Sequence, residues 1–179
     1  ESYSNHNLQS NMEIDQELYL KLSDESCYLN CLYKALSYLG RSSKSIAQMR
    51  IYLTKKGFPE KIIQQTIEYL MEKNYLNDYN FALHYIKNKI ASGKKGALVI
   101  KSELIKKGVN RHIIEEALQE SNAYDVDMDA LYEMALKKYK SIKDKDNAYG
   151  KIFSFLINRG FDYRAISSVL QKLKLNNNE

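Results

Sequence analysis

One short segment is written three times in this chain. LTKKGFPEKIIQQTIEYL (Leu53 to Leu70), LIKKGVNRHIIEEALQE (Leu104 to Glu120) and LINRGFDYRAISSVLQKL (Leu156 to Leu173) align on Gly57, Gly108 and Gly160, which stand 51 and then 52 residues apart. A steady period of this size marks a repeat architecture, in which each unit is too small to bury its apolar face alone and must stack on a neighbour.

Each shared position has a local physical task. The glycine ends one helix, because the residue after a helix usually adopts a left-handed conformation that a Cβ resists. Lys55, Lys56, Lys106, Lys107 and Arg159 precede it, where cations complement the helix C-terminus. Two residues after the glycine come Pro59, Asn110 and Asp162, which suit the entry to a second helix. Phe58, Val109 and Phe161 precede that entry, and Ile63, Ile114 and Ile166 lie four residues beyond it, in the register of a hydrophobic staple.

Along the chain, residues 1–27 are polar and read as a loose N-terminal arm. The first repeat is placed at 28–76. Its opening helix, YLNCLYKALSYLG, is expected to bury Leu29, Leu32, Leu36 and Leu39. Ser45 and Gln48 form a capping box for the next helix, with Ile46, Met49 and Leu53 on one stripe. The second repeat, 77–124, opens with Asn77 or Asp78 as a cap and breaks at Ser92 and Gly93. Ala97, Ile100 and Leu104 then occupy the same stations before its glycine. The third, 125–175, repeats them with Tyr149, Ile152 and Leu156. The expected fold is all-α: three tandem three-helix repeats forming an elongated, curved array, with a last helix from about Asp162 to Lys174.

Several chemistries lack their residues. His6, His84 and His112 fall far apart with no paired spacing, and are expected to face solvent or cap helices. The GKKG link from Gly93 to Gly96 lacks the frame of a phosphate loop. Asp125, Asp127, Asp129 and Glu133 suggest a calcium loop, but Ala130 stands at its turn glycine and Leu136 at its closing glutamate, so helix capping is the better reading. Cys27 and Cys31 share a helix face without enough ligands for zinc, and read as reduced, half-buried thiols. Neither enzyme activity nor a cofactor is expected. Since no apolar run approaches the ~20 residues of a membrane span and the opening lacks a secretory pattern, a soluble, cytoplasmic protein without membrane association is expected.

Charge is the better lead. The first 25 residues hold one lysine against six acids, whereas the remainder holds 26 basic against 16 acidic residues. A cationic body favours a polyanionic partner. Lys87, Lys89, Lys94, Lys95, Lys101, Lys106, Lys107 and Arg111 crowd the second repeat. Two readings stand side by side for them: contact with DNA, or a solvated face with favourable helix electrostatics. Tyr38, Tyr52, Tyr69 and Tyr85 could stack on bases, although core or interface packing is the commoner use of aromatics at helical spacing.

In their order and spacing, three segments resemble the RecX family of bacterial recombination regulators: ALSYLGRSSKSIAQMRIYLTKKG, LNDYNFALHYIKNKIASGKKGALVIKSELIKKGV and IFSFLINRGFDYRAISSVL. The likeness runs from about Leu32 to Leu173. It departs at Ser42, where the family commonly has arginine, and at Gln48, where it commonly has glutamate. The resemblance implies a non-enzymatic protein, expected to be a monomer, that binds the RecA recombinase and its filament on single-stranded DNA and restrains filament growth, ATP turnover and strand exchange. The basic second repeat would then face DNA or an acidic recombinase surface. The rival reading is a helical-repeat adaptor with no nucleic-acid role.

Overall fold

The three glycines adopt the backbone that the repeat demands. In the computed structural model, which describes residues 15–143 and 147–177, φ is +83° at Gly57, +81° at Gly108 and +84° at Gly160. The N–H of the following residue reaches back to the last turn in each copy: Phe58 to the Leu53 carbonyl, Val109 to Leu104 and Phe161 to Leu156. These bonds satisfy carbonyls that a helix end would otherwise leave unpaired. His6 and the first 14 residues of the expected arm lie outside the described residues.

Nine α-helices, and no strand, occur among the described residues: α1 Gln16–Leu39, α2 Ile46–Lys55, α3 Glu60–Glu72, α4 Asp78–Ala91, α5 Ala97–Lys106, α6 Arg111–Glu120, α7 Met128–Ser141, α8 Ala148–Ile157 and α9 Tyr163–Asn177. They form three three-helix repeats in tandem. The chain divides into two compact units, one up to Asp78 and one from Tyr79, so the second unit holds the second and third repeats.

In the first unit the capping box is present: the Ser45 hydroxyl accepts from the Gln48 N–H at 3.1 Å and the Gln48 side chain accepts from the Ser45 N–H at 3.1 Å. Asp78 adds a carboxylate acceptor for the Ile46 N–H at 2.9 Å. Cys31, Ala35, Met49, Leu53, Ile63, Ile67 and Leu70 fill the core. Burial pushes the Cys31 thiol pKa up, and Cys27 beside it is half-buried, so both cysteines are packing residues.

Helix α1 differs from expectation in two ways. It starts at Gln16, where Asp15 accepts from the Leu18 N–H at 2.7 Å, rather than at Tyr28. Its buried stripe is Cys31 and Ala35, whereas Leu29 is 47% and Leu36 40% exposed. The small side chains let α1 approach α3 closely, and that close approach turns the two leucines outward.

In the second unit Ile100, Leu104, Ile114 and Leu118 are buried around α5 and α6, and Ile152, Leu156, Ile166 and Val169 around α8 and α9. Asp127 caps α7 by accepting from the Asp129 and Ala130 N–H groups at 3.1 and 3.0 Å, the capping role read from the acidic run. Asn110 and Asp162 likewise cap α6 and α9. Helix α9 continues to Asn177, three residues past its expected end.

The two repeats of this unit meet through bare backbone. Gly96, which precedes α5, donates its N–H to the Arg159 carbonyl at 2.8 Å, and Leu98 donates to the Gly160 carbonyl at 3.2 Å. The side chain of Arg159 returns a bond from Nη1 to the Lys94 carbonyl at 3.0 Å. A Cβ on Gly96 would strike the Gly160 carbonyl, and one on Gly160 would strike the Val99 backbone.

Candidate functional site

The basic residues of the second repeat do not form one face. Lys89 and Lys107 each hold an ammonium 5.2 Å from the centre of the Tyr85 ring. The Tyr85 hydroxyl donates to Glu103 at 2.8 Å, and Lys95 pairs with the other oxygen of the same carboxylate. Burial and the bond to Glu103 push the Tyr85 pKa up to about 12. Burial alone would raise Glu103, but hydrogen bonds from Lys95 and Tyr85, with the charges of Lys95 and Lys89, hold its carboxyl below the usual range. Three lysines thus surround one tyrosine and one carboxylate.

The other candidates are placed elsewhere. Lys101 is bound to Glu115 at 2.6 Å, and Glu115 also accepts from the Tyr124 hydroxyl at 2.8 Å, so this lysine is locally neutralised. Lys94 joins Lys95 on the cleft beside Arg159. Lys87, Lys106 and Arg111 are exposed. His84 and His112 are exposed as expected, and His112 sits 3.5 Å from Glu116 one turn on.

The tyrosines pack against the cores. Tyr38, Tyr52 and Tyr69 are half-buried in the first unit, and Tyr85 is half-buried in the second. Tyr38 and Tyr52 stack with centroids 4.0 Å apart and planes 12° from parallel. Lys44 lies 4.7 Å from Tyr38 and Lys56 5.7 Å from Tyr52.

A shared device emerges that the sequence list of lysines did not contain. In each repeat the residue just before the turn glycine places its cation over a ring: Lys56 over Tyr52, Lys107 over Tyr85 and Arg159 over Phe155, the last at 4.4 Å. A second cation reaches the ring or its stacked partner: Lys44, Lys89 and Lys138, with Lys138 at 5.4 Å from Phe155. Attraction to the ring face holds each charge in place while leaving it near solvent. The signal was present in the period, since Lys56, Lys107 and Arg159 share a register and Tyr52 and Phe155 both stand five residues before the glycine; in the second repeat Glu103 takes that station and the ring comes from Tyr85 instead.

Fold and surface together define a helical-repeat protein whose second and third three-helix units join through backbone and present aromatic-held cations. The chain belongs to the RecX family: models of the first, second and third three-helix domains of RecX match residues 31–70, 77–118 and 125–170 in order. It is 34% identical to the regulatory protein RecX of Clostridium acetobutylicum over 178 residues, covering 97% of this chain and 82% of that one. The regulatory protein RecX of Clostridium tetani is also 34% identical, over 94% of this chain and 78% of the relative. The crystal structure of RecX from Lactobacillus salivarius superposes with a TM-score of 0.75 at 27% identity, over 84% of this chain and 99% of that one. A second crystal structure, of regulatory protein RecX, has a TM-score of 0.80 at 18% identity, a likeness of fold.

Proposed function

We propose that this protein regulates a RecA-type recombinase by binding its filament on single-stranded DNA, and that it acts mainly as a restraint on filament growth and ATP turnover. The observation that carries this reading is the unbroken succession of all three RecX domains along the chain. It is supported by the cationic body, with 26 basic against 16 acidic residues after residue 25. Linked modules suit a repetitive target, because several weak contacts on one chain act through effective concentration. The protein works without catalysis or cofactor, as a cytoplasmic monomer. Lys94 and Lys106, both exposed in the middle repeat, are the residues we propose to meet phosphate or an acidic protein surface.

Co-sedimentation with recombinase filaments, set against bare single-stranded DNA, tests the proposal. Tighter association with the filament is expected; equal or weaker association would turn the reading toward nucleic-acid binding without recombinase.

A second reading, a protein-binding adaptor, is favoured by the exposed stripe of Leu29, Tyr33 and Leu36 along α1. Salt separates the two. Phosphate contacts make log K fall steeply with log salt, whereas an apolar groove responds weakly.

A further inference from the structure

The longest stretch of this chain without a carboxylate runs from Ser26 to Pro59 and carries six cations, Lys34, Arg41, Lys44, Arg50, Lys55 and Lys56. It folds into the C-terminal part of α1, the link that follows, and α2, all within the first unit. Arg50 is paired with Glu60, and the other five form no ion pair among the described residues. Two rings lie face to face in this stretch. Tyr38, near the end of α1 and about 33 Å along that helix from its start, stacks on Tyr52 of α2 with centroids 4.0 Å apart and planes 12° from parallel. A gap of that size has no room for an ammonium, so Lys44, 4.7 Å from Tyr38, and Lys56, 5.7 Å from Tyr52, stand outside the pair. Lys44 also donates to the Ser42 hydroxyl. Lys56 is exposed, and a Cβ on Gly57 beside it would meet nothing within 4 Å, so the turn is open to a ligand.

Other tyrosines show by contrast what this pair offers. The hydroxyls of Tyr79, Tyr85 and Tyr124 donate to Glu120, Glu103 and Glu115, which tie each phenol to a carboxylate. Neither Tyr38 nor Tyr52 has such a partner among the described residues. The C-terminus of α2 does attract Lys55 and Lys56, but its partial charge of roughly half a unit falls well short of two full cations.

We infer that the stacked pair of Tyr38 and Tyr52, with Lys44 and Lys56, is a contact for single-stranded DNA, in which phosphates draw the two ammonium groups off the rings and unpaired bases take their place. Both steps of the exchange are favourable. An ammonium over an exposed ring is weakly held, whereas its contact with phosphate also releases condensed counterions. A base laid on a ring face is held more strongly than a cation there, and every base has a face to offer. An acidic peptide would draw off the lysines as well, but it has nothing to lay on the bared rings. The inference deepens the proposed function and rests on it for the choice of DNA over RNA.

Fluorescence anisotropy of the full chain with a labelled oligothymidylate tests it, beside an abasic strand of equal phosphate count, oligouridylate and polyglutamate. The wild-type chain is expected to bind the oligothymidylate about fivefold or more tightly than the abasic strand. Replacing Tyr38→Leu and Tyr52→Leu together keeps apolar bulk, removes both rings and should erase most of that preference. Tyr69→Leu, at a half-buried ring elsewhere in the same unit, should leave it intact. Because the tyrosine variant also loses packing, Lys56→Gln at its exposed position guards against a folding effect: it should reduce the slope of log K against log salt by about 0.7 with an unchanged melting curve. Lys44→Gln and Lys56→Gln together should reduce it by about 1.4, at ~0.7 per phosphate contact. Equal wild-type affinity for the abasic strand, an unchanged slope in Lys56→Gln, or tighter binding of polyglutamate or oligouridylate overturns the contact. A thymidylate preference lost in the tyrosine variant while the wild-type chain leaves recombinase untouched would support the contact and defeat the functional reading. Wild-type regulation of recombinase with that preference unchanged in the tyrosine variant would do the reverse.

Discussion

Helices α2 and α5 begin at the same register, eleven residues before Gly57 and Gly108, yet they are started by different means. Helix α2 is started by side chains within its own unit: Ser45 and Gln48 close a capping box and Asp78 takes the Ile46 N–H. Helix α5 has Gly96 at its N-cap, with no side chain to offer, and its first donors go to the carbonyls of Arg159 and Gly160 in the third repeat. One position therefore serves either as a self-contained helix start or as a joint between repeats. Only the joint gathers Lys94, Lys95 and Arg159 around a common cleft.

The largest effects should come from filling the joint. Gly57→Ala and Gly160→Ala both force a Cβ into left-handed backbone, at a cost of roughly 1–2 kcal/mol. At Gly57 the added atom meets open space, whereas at Gly160 it meets the Val99 backbone. Urea unfolding should therefore show Gly160→Ala to be clearly worse than Gly57→Ala, by about 2 kcal/mol or more once the overpacking is included. Gly96→Ala should resemble Gly160→Ala, because its Cβ would meet the Gly160 carbonyl. Equal losses at Gly57 and Gly160 would break the comparison.

A smaller loss is expected at the self-contained start. Ser45→Ala should cost about 1 kcal/mol, the usual worth of an N-cap, since Asp78 still accepts from Ile46. A negligible loss would mean that Asp78 supplies the cap unaided.

The ring-and-cation device of the second repeat makes a prediction about pH. With its folded pKa raised from 10.0 to about 12, Tyr85 contributes stability that is fully present below pH 10 and is lost as pH rises toward 12. Replacing Tyr85→Phe should flatten this decline, measured as unfolding free energy against pH with tyrosinate absorbance as the check. The smallest effect is expected at Lys101 and Glu115, each about a third exposed, where a double-mutant cycle should give a coupling of about 0.5 kcal/mol.

The three-helix repeats, the turn glycines and the stations of Met49, Leu53, Ile100, Leu104, Ile152 and Leu156 were legible in the sequence, because local chemistry dictates them. Less legible was the buried side of α1. Its residues from 27 to 39 are apolar on several faces, and close packing favoured Cys31 and Ala35 over the leucines. The joint was hidden for another reason: Gly96 read as the end of the GKKG link, while its role depends on a carbonyl 63 residues away in sequence, that of Arg159. The list of basic residues was silent about neighbours. Spacing alone could not tell that Glu115 neutralises Lys101, or that Glu103 gathers Lys95 with Tyr85.

The proposed regulatory role meets its most direct test in the ATPase rate of a RecA-type recombinase on single-stranded DNA, measured as this protein is titrated in. A dose-dependent fall at substoichiometric amounts is the expected result. A rate that stays unchanged past equimolar protein would contradict it.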